Sequence, residues 1–224
     1  YEVIEKIKGK DLVGLDYEPL YPYLSELISE DQKSKLENAY KVYPADFVTT
    51  TDGTGIVHTA VMYGADDFDL GTKYDLPKFH LVNEEGKFIE GAGFLAGRYV
   101  KEADEKGKPT LAVDIVNDLT ERGLLLKKEN HMHSYPHCWR CDTPLIYYAR
   151  TSWYFRMSAL REQLLTANEK INWEPEHIKE GRFGEWLDGI KDWAISRDRY
   201  WGTPLPIWQK KDGTPVVISS LADL

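Results

Sequence analysis

The stretch from Phe47 to Gly71 constrains the fold more than any other part of this chain. Residues 47–51 are aromatic and β-branched, which is typical of a strand. Asp52-Gly53 is a pair that tight two-residue hairpin turns prefer, because both turn positions need positive φ. Residues 54–60 would then return as a second strand. The pattern predicts a β-hairpin.

The register of this hairpin predicts a pocket wall. With a two-residue loop, Thr49 lies opposite Ile56. Because side chains alternate between the two faces of a strand, one face would carry Phe47, Thr49, Thr51, Thr54, Ile56, His58 and Ala60. That face is small, rich in hydroxyl groups and holds one imidazole. A lone strand histidine is more often a hydrogen-bonded structural residue than a working one, so His58 has two readings.

Two adjacent acids follow the predicted hairpin. Asp66 and Asp67 precede residues 68–74, which could form one or two helical turns. Acids are favoured at a helix N-terminus by the exposed amides and the helix dipole, so capping is one interpretation. The other is that one carboxylate looks back at His58 and binds a cationic group.

Composition limits the partners that the chain can have. The 224 residues suffice for one large or two small domains. A formal charge of −9 argues against a generic nucleic-acid binder, so a nucleic-acid partner would have to use local basic patches such as Lys127-Lys128 or Arg197–Arg199. No apolar run approaches the roughly 18–20 residues that cross a bilayer, and no signal peptide is seen. We expect a cytoplasmic protein without a membrane partner.

The remainder of the chain predicts helices and a change of domain. Residues 108–122 have a helical period, with Gly123 as the stop. Residues 158–168 also look helical, and a later helix would place Phe183, Trp186, Leu187 and Ile190 on one face, where core packing explains them. The composition shifts near His131, which we take as the domain boundary.

Cys138 and Cys141 form a CxxC pair with three possible readings. The pair could be half of a tetrahedral zinc site, which needs two further ligands; the nearby candidates are His131, His133 and His137. A redox motif is disfavoured because no helix opens behind the first cysteine. An inert pair of thiols is the third reading. Two cysteines do not make a disulfide framework.

Three stretches together resemble the isoleucyl-tRNA synthetase family of class I aminoacyl-tRNA synthetases. Gly53-Thr54-Gly55-Ile56-Val57-His58, followed by Asp67, is similar to the family's editing domain. Residues 135–141, Tyr-Pro-His-Cys-Trp-Arg-Cys, also match. Residues 192–208, from Asp192 to Trp208, look like the stretch where the chain re-enters the catalytic domain.

The resemblance implies an α+β fold in two parts. Residues 1–130 would be a β-rich, barrel-like editing domain, and residues 131–224 a mainly helical connective segment returning to the catalytic domain. The two nucleotide-binding signature motifs of the synthetic site are absent from this sequence. The chain therefore looks like an inserted editing domain with its return connection.

The resemblance also implies a reaction. The family attaches isoleucine to tRNA with ATP and hydrolyses misattached valine; the two amino acids differ by one methylene, worth about 1–3 kcal/mol. Asp67 would bind the α-ammonium of the ester and His58 would wall the side-chain pocket, while a positioned water attacks, helped by the neighbouring tRNA hydroxyl. The substrate-binding set would be Gly53, Thr54, Gly55, Ala60 and Tyr63.

Cofactors and partners follow from the same resemblance. Editing would need no cofactor, whereas the parent enzyme would use ATP, with zinc at Cys138 and Cys141 as a further candidate. The expected partners are the aminoacylated 3′ end of tRNA and the rest of the synthetase, in a monomer.

Two departures leave alternatives open. Val61 stands where the family usually has proline, and the family's threonine-rich loop would lie before Tyr1. A non-catalytic tRNA-docking or structural module is therefore the alternative from a different class. The editing domains of the valyl and leucyl relatives are the nearest confusion, but they usually have alanine at the position of Ile56 and lack His58.

Overall fold

The computed structural model describes residues 4–51, 54–129, 133–198 and 201–224. The chain divides into two compact units, Tyr1–Ala149 and Arg150–Leu224. The compositional shift near residue 131 thus falls within the first unit. The assignment of residues 1–130 to an editing domain stays a prediction.

The described residues of the first unit form the α-helices α1 (Tyr23–Leu27), α2 (Ala65–Lys73) and α3 (Leu111–Glu121). Short 3₁₀ turns cover Gly9–Asp11, Lys33–Asn38 and Gly93–Leu95. Strand pairing in the described part of this unit consists of isolated antiparallel bridges, such as Val82 with Phe88. The α+β class is confirmed for the chain as a whole, but the predicted barrel is not confirmed.

Helix α3 confirms the helical period predicted for this segment. Leu111 is buried at its start, and the helix ends before Gly123, whose positive φ of 69° suits the glycine stop. The apolar face of α3 packs on the core of the unit, a cluster of Ala92, Leu95 and Leu111. Removal of this apolar surface from water is the main stabilisation that such a small core provides.

The predicted hairpin between residues 47 and 60 is wrong. Thr49 and Ile56 are not paired, and no ladder joins these two segments among the described residues, which exclude Asp52 and Gly53. Thr54 instead bonds locally, since its Oγ1 accepts from the Ile56 amide at 3.3 Å. Ile56 is 67% exposed, so the face interpreted as a pocket wall is open to solvent here.

The physical reason lies in the local polar groups. A strand amide that finds a threonine hydroxyl two residues away no longer needs a partner strand. Gly55 has a φ of 75°, which turns the chain out of the extended conformation at the place where the second strand would begin. Residues 56–60 then run without strand assignment towards α2.

In the second unit, residues 150–198 and 201–224 form α4 (Arg161–Glu169), α5 (Arg182–Asp188) and two small antiparallel sheets. One sheet pairs β1 (Tyr154–Phe155) with β2 (Trp193–Ala194), and the other pairs β3 (Ile207–Gln209) with β4 (Pro215–Val217). Besides its helices, this part of the chain therefore has one hairpin, β3–β4, and one strand pair that is distant in sequence, β1–β2, which the prediction of a mainly helical segment did not include.

Helix α5 confirms the predicted apolar face in part. Leu187 and Ile190 are each only 3% exposed, and the Phe183 ring lies 4.8 Å from that of Trp173. Trp186 remains half exposed. The aromatic residues of this region accordingly pack as a core that reaches the surface at one edge.

Candidate functional site

The site is organised by a turn that brings α2 back across the chain. The Tyr63 amide donates to the Ala60 carbonyl at 2.8 Å, which closes a tight turn over residues 60–63. Gly64 then caps the helix in an extended conformation without a side-chain hydrogen bond. The Phe68 amide donates to the Gly64 carbonyl at 2.9 Å, so the helix begins immediately. The first turn of α2 consequently faces the segment that contains His58.

The first turn of α2 carries both acids, and the structure separates them. Asp66 and Asp67 lie near the helix N-terminus, where the dipole favours negative charge, and Lys73 complements the last turn. Asp66 is exposed, whereas Asp67 is half-buried. Only Asp67 turns back towards the preceding chain.

The Asp67 carboxylate lies between the helix and the segment before it. Burial raises the pKa of this carboxyl above its ordinary value, and the neighbouring Asp66 charge also raises it. A hydrogen bond from the Ala60 backbone and the charge of His58 act in the opposite direction. Desolvation is the larger effect, so the pKa is raised overall. No cation forms an ion pair with Asp67 in the described ranges.

Such a carboxylate has a definite chemical capacity. It has lost part of its hydration without gaining an ion pair among the described residues. An ammonium group brought to this position would supply that partner and lower the cost of the buried charge. The arrangement can therefore bind a primary amine, with His58 close enough to be felt electrostatically.

The predicted site residues are only partly brought together. His58 is exposed, and Ala60 contacts Asp67 through its backbone. Thr54 and Gly55 lie in the local turn before Ile56, and Gly53 lies outside the described residues. The roles assigned to these residues stay predictions.

Tyr63 has a structural partner that the sequence did not suggest. Its hydroxyl accepts a hydrogen bond from the Val82 amide at 3.0 Å, and burial raises the pKa of the phenol. Its ring packs edge-on against His80, with centroids 5.6 Å apart. His80 stacks on Tyr148 at 4.1 Å. This aromatic cluster anchors the turn that leads into α2.

Glycines are the site residues that sequence reasoning missed. A β-carbon built on Gly64 would lie 2.2 Å from Oδ2 of Asp67. A β-carbon on Gly71 would lie 2.5 Å from Cγ1 of Val61. For Gly71 the available signal was a glycine inside a predicted helix, which costs about 1 kcal/mol relative to alanine and so suggests a close approach.

The CxxC pair lies on a tight loop of the first unit. The Cys138 amide donates to the Thr143 carbonyl at 2.9 Å, and the Asp142 amide donates to the Cys138 carbonyl at 2.8 Å. The hydrogen bonds that Cys141 makes, first with Thr143 and then with Cys138, lower the pKa of its thiol. Zinc binds cysteine as the thiolate, so a lowered thiol pKa favours the form that zinc would need.

The two thiols could supply two of the ligands of a zinc site. Zinc prefers four tetrahedral ligands. Within the described residues no group of three or more histidine, cysteine or acidic side chains is placed to hold a metal. His133 and His137 therefore do not complete the set, and His131 lies outside the described residues. Any further ligands would come from elsewhere.

Comparison with known proteins gives the family. Residues 6–223 match the model of the class I tRNA synthetases for isoleucine, leucine, methionine and valine. The chain belongs to the class I tRNA synthetase family. Its resemblance to the isoleucyl branch of that family is confirmed by curated relatives that cover the whole chain and bear the name isoleucine–tRNA ligase.

Two relatives illustrate the similarity. The isoleucine–tRNA ligase of Clostridium novyi is 50% identical over 224 residues, which is 100% of this chain and 20% of the relative. That of Clostridium acetobutylicum is 49% identical over the same length and the same shares. The chain therefore spans about a fifth of the length of the curated relatives it matches. No helix within the described ranges is long and apolar enough to span a membrane.

Proposed function

We propose that this chain is the editing section of a longer isoleucyl-tRNA synthetase and hydrolyses valine from valyl-tRNA(Ile). The observation that carries the proposal is Asp67, a half-buried carboxylate with a raised pKa and no cationic partner in the described ranges. An aminoacyl ester presents a primary ammonium, which is the complementary group. The whole enzyme would join isoleucine to tRNA using ATP.

The reaction is a hydrolysis of the ester bond. A water oxygen attacks the carbonyl carbon, the bond to the ribose oxygen breaks, and that oxygen leaves with a proton from the water. Asp67 anchors the ammonium without reading the side chain. His58 would supply the steric wall that admits valine and refuses isoleucine. One methylene is worth about 1–3 kcal/mol in such a pocket, so a second selection step is needed to remove valine.

The proposal extends to the remaining substrate-binding residues and to the partners of the chain. Thr54 and Gly55 would approach the ribose end of the tRNA, with Ala60 and Tyr63 completing the substrate-binding set. The 3′ end of tRNA and the remainder of the synthetase would be the partners of a cytoplasmic monomer. A barrel-like editing domain and zinc held through Cys138 and Cys141 stay predictions.

The test is deacylation of radiolabelled valyl-tRNA(Ile). The full-length synthetase should release valine faster than isoleucine, and Asp67→Asn should abolish that release while isoleucine activation continues. Asp66→Asn is the matched control, because Asp66 has the same side chain but lies in solvent. Equal losses in the two variants would contradict the proposed role of Asp67.

A non-catalytic tRNA-docking module is the second candidate. Exposure of His58 and Ile56 favours it, because an open surface cannot sieve a side chain. The 224-residue chain tested alone separates the two candidates. Docking would be favoured if the chain binds tRNA without releasing valine and the full-length enzyme does not deacylate valyl-tRNA(Ile) either.

A further inference from the structure

One face of α2 lies unusually close to the segment that precedes it. Gly64, Asp67 and Gly71 are spaced i, i+3 and i+7, which puts them on the same side of a helix. That side meets Ala60 and Val61, the residues that follow the His58 segment. The helix face therefore consists of one carboxylate between two residues without side chains.

Gly64 leaves the space that the Asp67 carboxylate occupies. A β-carbon at Gly64 would lie 2.2 Å from Oδ2 and 3.1 Å from Cγ of Asp67. Real carbon atoms do not approach an oxygen so closely. Any larger residue at this position would push the carboxylate away from Gly64.

Gly71 sets the distance between the helix and the segment. A β-carbon there would lie 2.5 Å from Cγ1 and 3.0 Å from Cγ2 of Val61, so the valine side chain packs directly on the helix backbone. Gly71 is buried in the interior of α2. Val61 is covalently next to Ala60, so this contact also fixes the Ala60 amide relative to Asp67.

We infer that Gly64 and Gly71 are positioning residues for Asp67, and that Val61 is the partner that Gly71 accommodates. The inference rests on the proposed function, since Asp67 is the group being positioned. The two glycines do not touch substrate. Gly64 gives the carboxylate room, and Gly71 holds the helix at the separation where the carboxylate reaches both Ala60 and the His58 side of the site.

The first test is Gly64→Ala in the full-length synthetase. We expect kcat/KM for valyl-tRNA(Ile) deacylation to fall about 100-fold, as for a misplaced binding group, mainly through a higher KM. Isoleucine activation should continue. Gly9→Ala is the matched control, because a β-carbon on Gly9 would meet nothing within 4 Å. Unchanged deacylation in Gly64→Ala would overturn the inference.

A pH profile separates positioning from a merely structural role. Deacylation should fail on the acid side as Asp67 becomes protonated, and burial raises the pKa that sets this limb. The charge of Asp66 acts in the same direction, and the charge of His58 in the opposite one. In Gly64→Ala the carboxylate is pushed towards solvent, so its pKa should drop and the acid limb should move to lower pH. A limb that stays in place while activity falls would contradict the inference.

A compensating pair tests Gly71. Gly71→Ala alone should lower deacylation, because the new methyl group collides with Val61. Val61→Ala in the same molecule removes the colliding methyl groups and should restore at least about tenfold of the loss, an interaction expected between residues in contact. Val61→Ala should not rescue Gly64→Ala. A double variant as impaired as Gly71→Ala would overturn the assignment of this contact.

Failure of the inference and failure of the proposed function are distinguishable. If the function is wrong, the unmodified enzyme does not release valine, or Asp67→Asn releases it normally. If only the inference is wrong, Asp67→Asn is inactive while Gly64→Ala and Gly71→Ala resemble the unmodified enzyme. Should Gly64→Ala fail to fold, as judged by a lost thermal unfolding transition of the 224-residue chain carrying it, the Gly71 and Val61 variants decide.

Discussion

At the scale of single residues, Asp67 has a proposed role in binding an ammonium group, and its burial lowers the stability of the fold. Its carboxylate is half-buried, and burial raises its pKa because the charged form loses hydration. A group with a raised pKa favours the folded state when protonated, and that contribution is lost as the pH rises through the raised pKa. At neutral pH the fold therefore carries the charge at a cost, until a cation binds.

The first prediction follows from this cost. Asp67→Asn should leave the melting temperature at neutral pH unchanged or higher. The transition-state stabilisation for valyl-tRNA deacylation should fall by about 2–5 kcal/mol, the typical loss when a charge partner is removed. Near pH 3, where the carboxyl group is protonated, the two proteins should melt together. Thermal denaturation across pH checks the sign. A variant that is less stable only at neutral pH would show that Asp67 instead has a stabilising partner.

A second residue, Glu102, is held in the opposite way. Arg98 donates to both of its carboxylate oxygens, at 2.7 and 3.2 Å, and Thr110 Oγ1 donates at 2.6 Å. The bonds from Arg98, and then from Thr110, lower the pKa of Glu102 to about 2. A lowered pKa contributes stability above the unfolded value, and this contribution is lost as pH falls towards about 2.

The second prediction concerns acid stability. Glu102→Gln should lower the melting temperature at pH 7, and the difference from the unmodified chain should shrink as pH falls from about 4.5 to about 2. Circular dichroism melts at several pH values check it. Glu105→Gln serves as the control, because Glu105 is exposed and has no ion pair within the described residues. A pH-independent difference would contradict the ion-pair explanation.

At the scale of secondary-structure elements, α3 supports the first unit through one buried end. Leu111 is 3% exposed and packs with Ala92 and Leu95, whereas Val113 on the same helix is 43% exposed. The helix is also tied at its far end, where Tyr21 donates to Asp118 at 2.8 Å. Burial, more than helix propensity, is what holds a helix of this length in place.

The third prediction is a packing test on α3. Leu111→Ala should cost about 2–5 kcal/mol of unfolding free energy, the usual range for a buried leucine. Val113→Ala should cost well under 1 kcal/mol, because a surface substitution removes little packing. Urea denaturation of the 224-residue chain measures both. Similar losses in the two variants would show that the core does not lie where these burials place it.

The sequence predicted elements whose information is local. The apolar period of residues 108–122 and the following Gly123 predict α3. The acids at 66 and 67 predict the start of α2. The hairpin at residues 47–60 failed because strand propensity does not specify a partner, and Thr54 supplied a local alternative.

In the candidate site, too, the features that depend on local sequence could be predicted and those that depend on tertiary packing could not. Asp67 could be chosen from sequence because the family's acid falls at a fixed spacing from the histidine. Its burial and the close approach of its carboxylate to Gly64 could not, since both depend on how closely a helix returns across an earlier turn. Tyr63 could not be assigned to the Val82 amide either, because that partner lies 19 residues away.

At the scale of the whole molecule, the proposed sieve should affect the net charging of tRNA, which depends on synthesis and editing together. The fourth prediction is that His58→Ala in the full-length synthetase permits hydrolysis of correct isoleucyl-tRNA(Ile). The exclusion removed corresponds to about 1–3 kcal/mol, or 10- to 200-fold in relative rate. Net charging with isoleucine should then fall although activation is normal. Retained discrimination against isoleucine would show that His58 is not the wall.

The division into two units has an optical consequence. Six of the seven tryptophans belong to residues 150–224, and Trp139 is the single one before them; twelve of the fourteen tyrosines belong to residues 1–149. Emission excited at the red edge of the absorption band, where tyrosine is dark, therefore reports mainly on the second unit. Tyrosine absorbance reports mainly on the first. The unmodified protein thus has two intrinsic spectroscopic signals, one mainly from each unit. Replacing Trp139 with phenylalanine would restrict indole emission to the second unit.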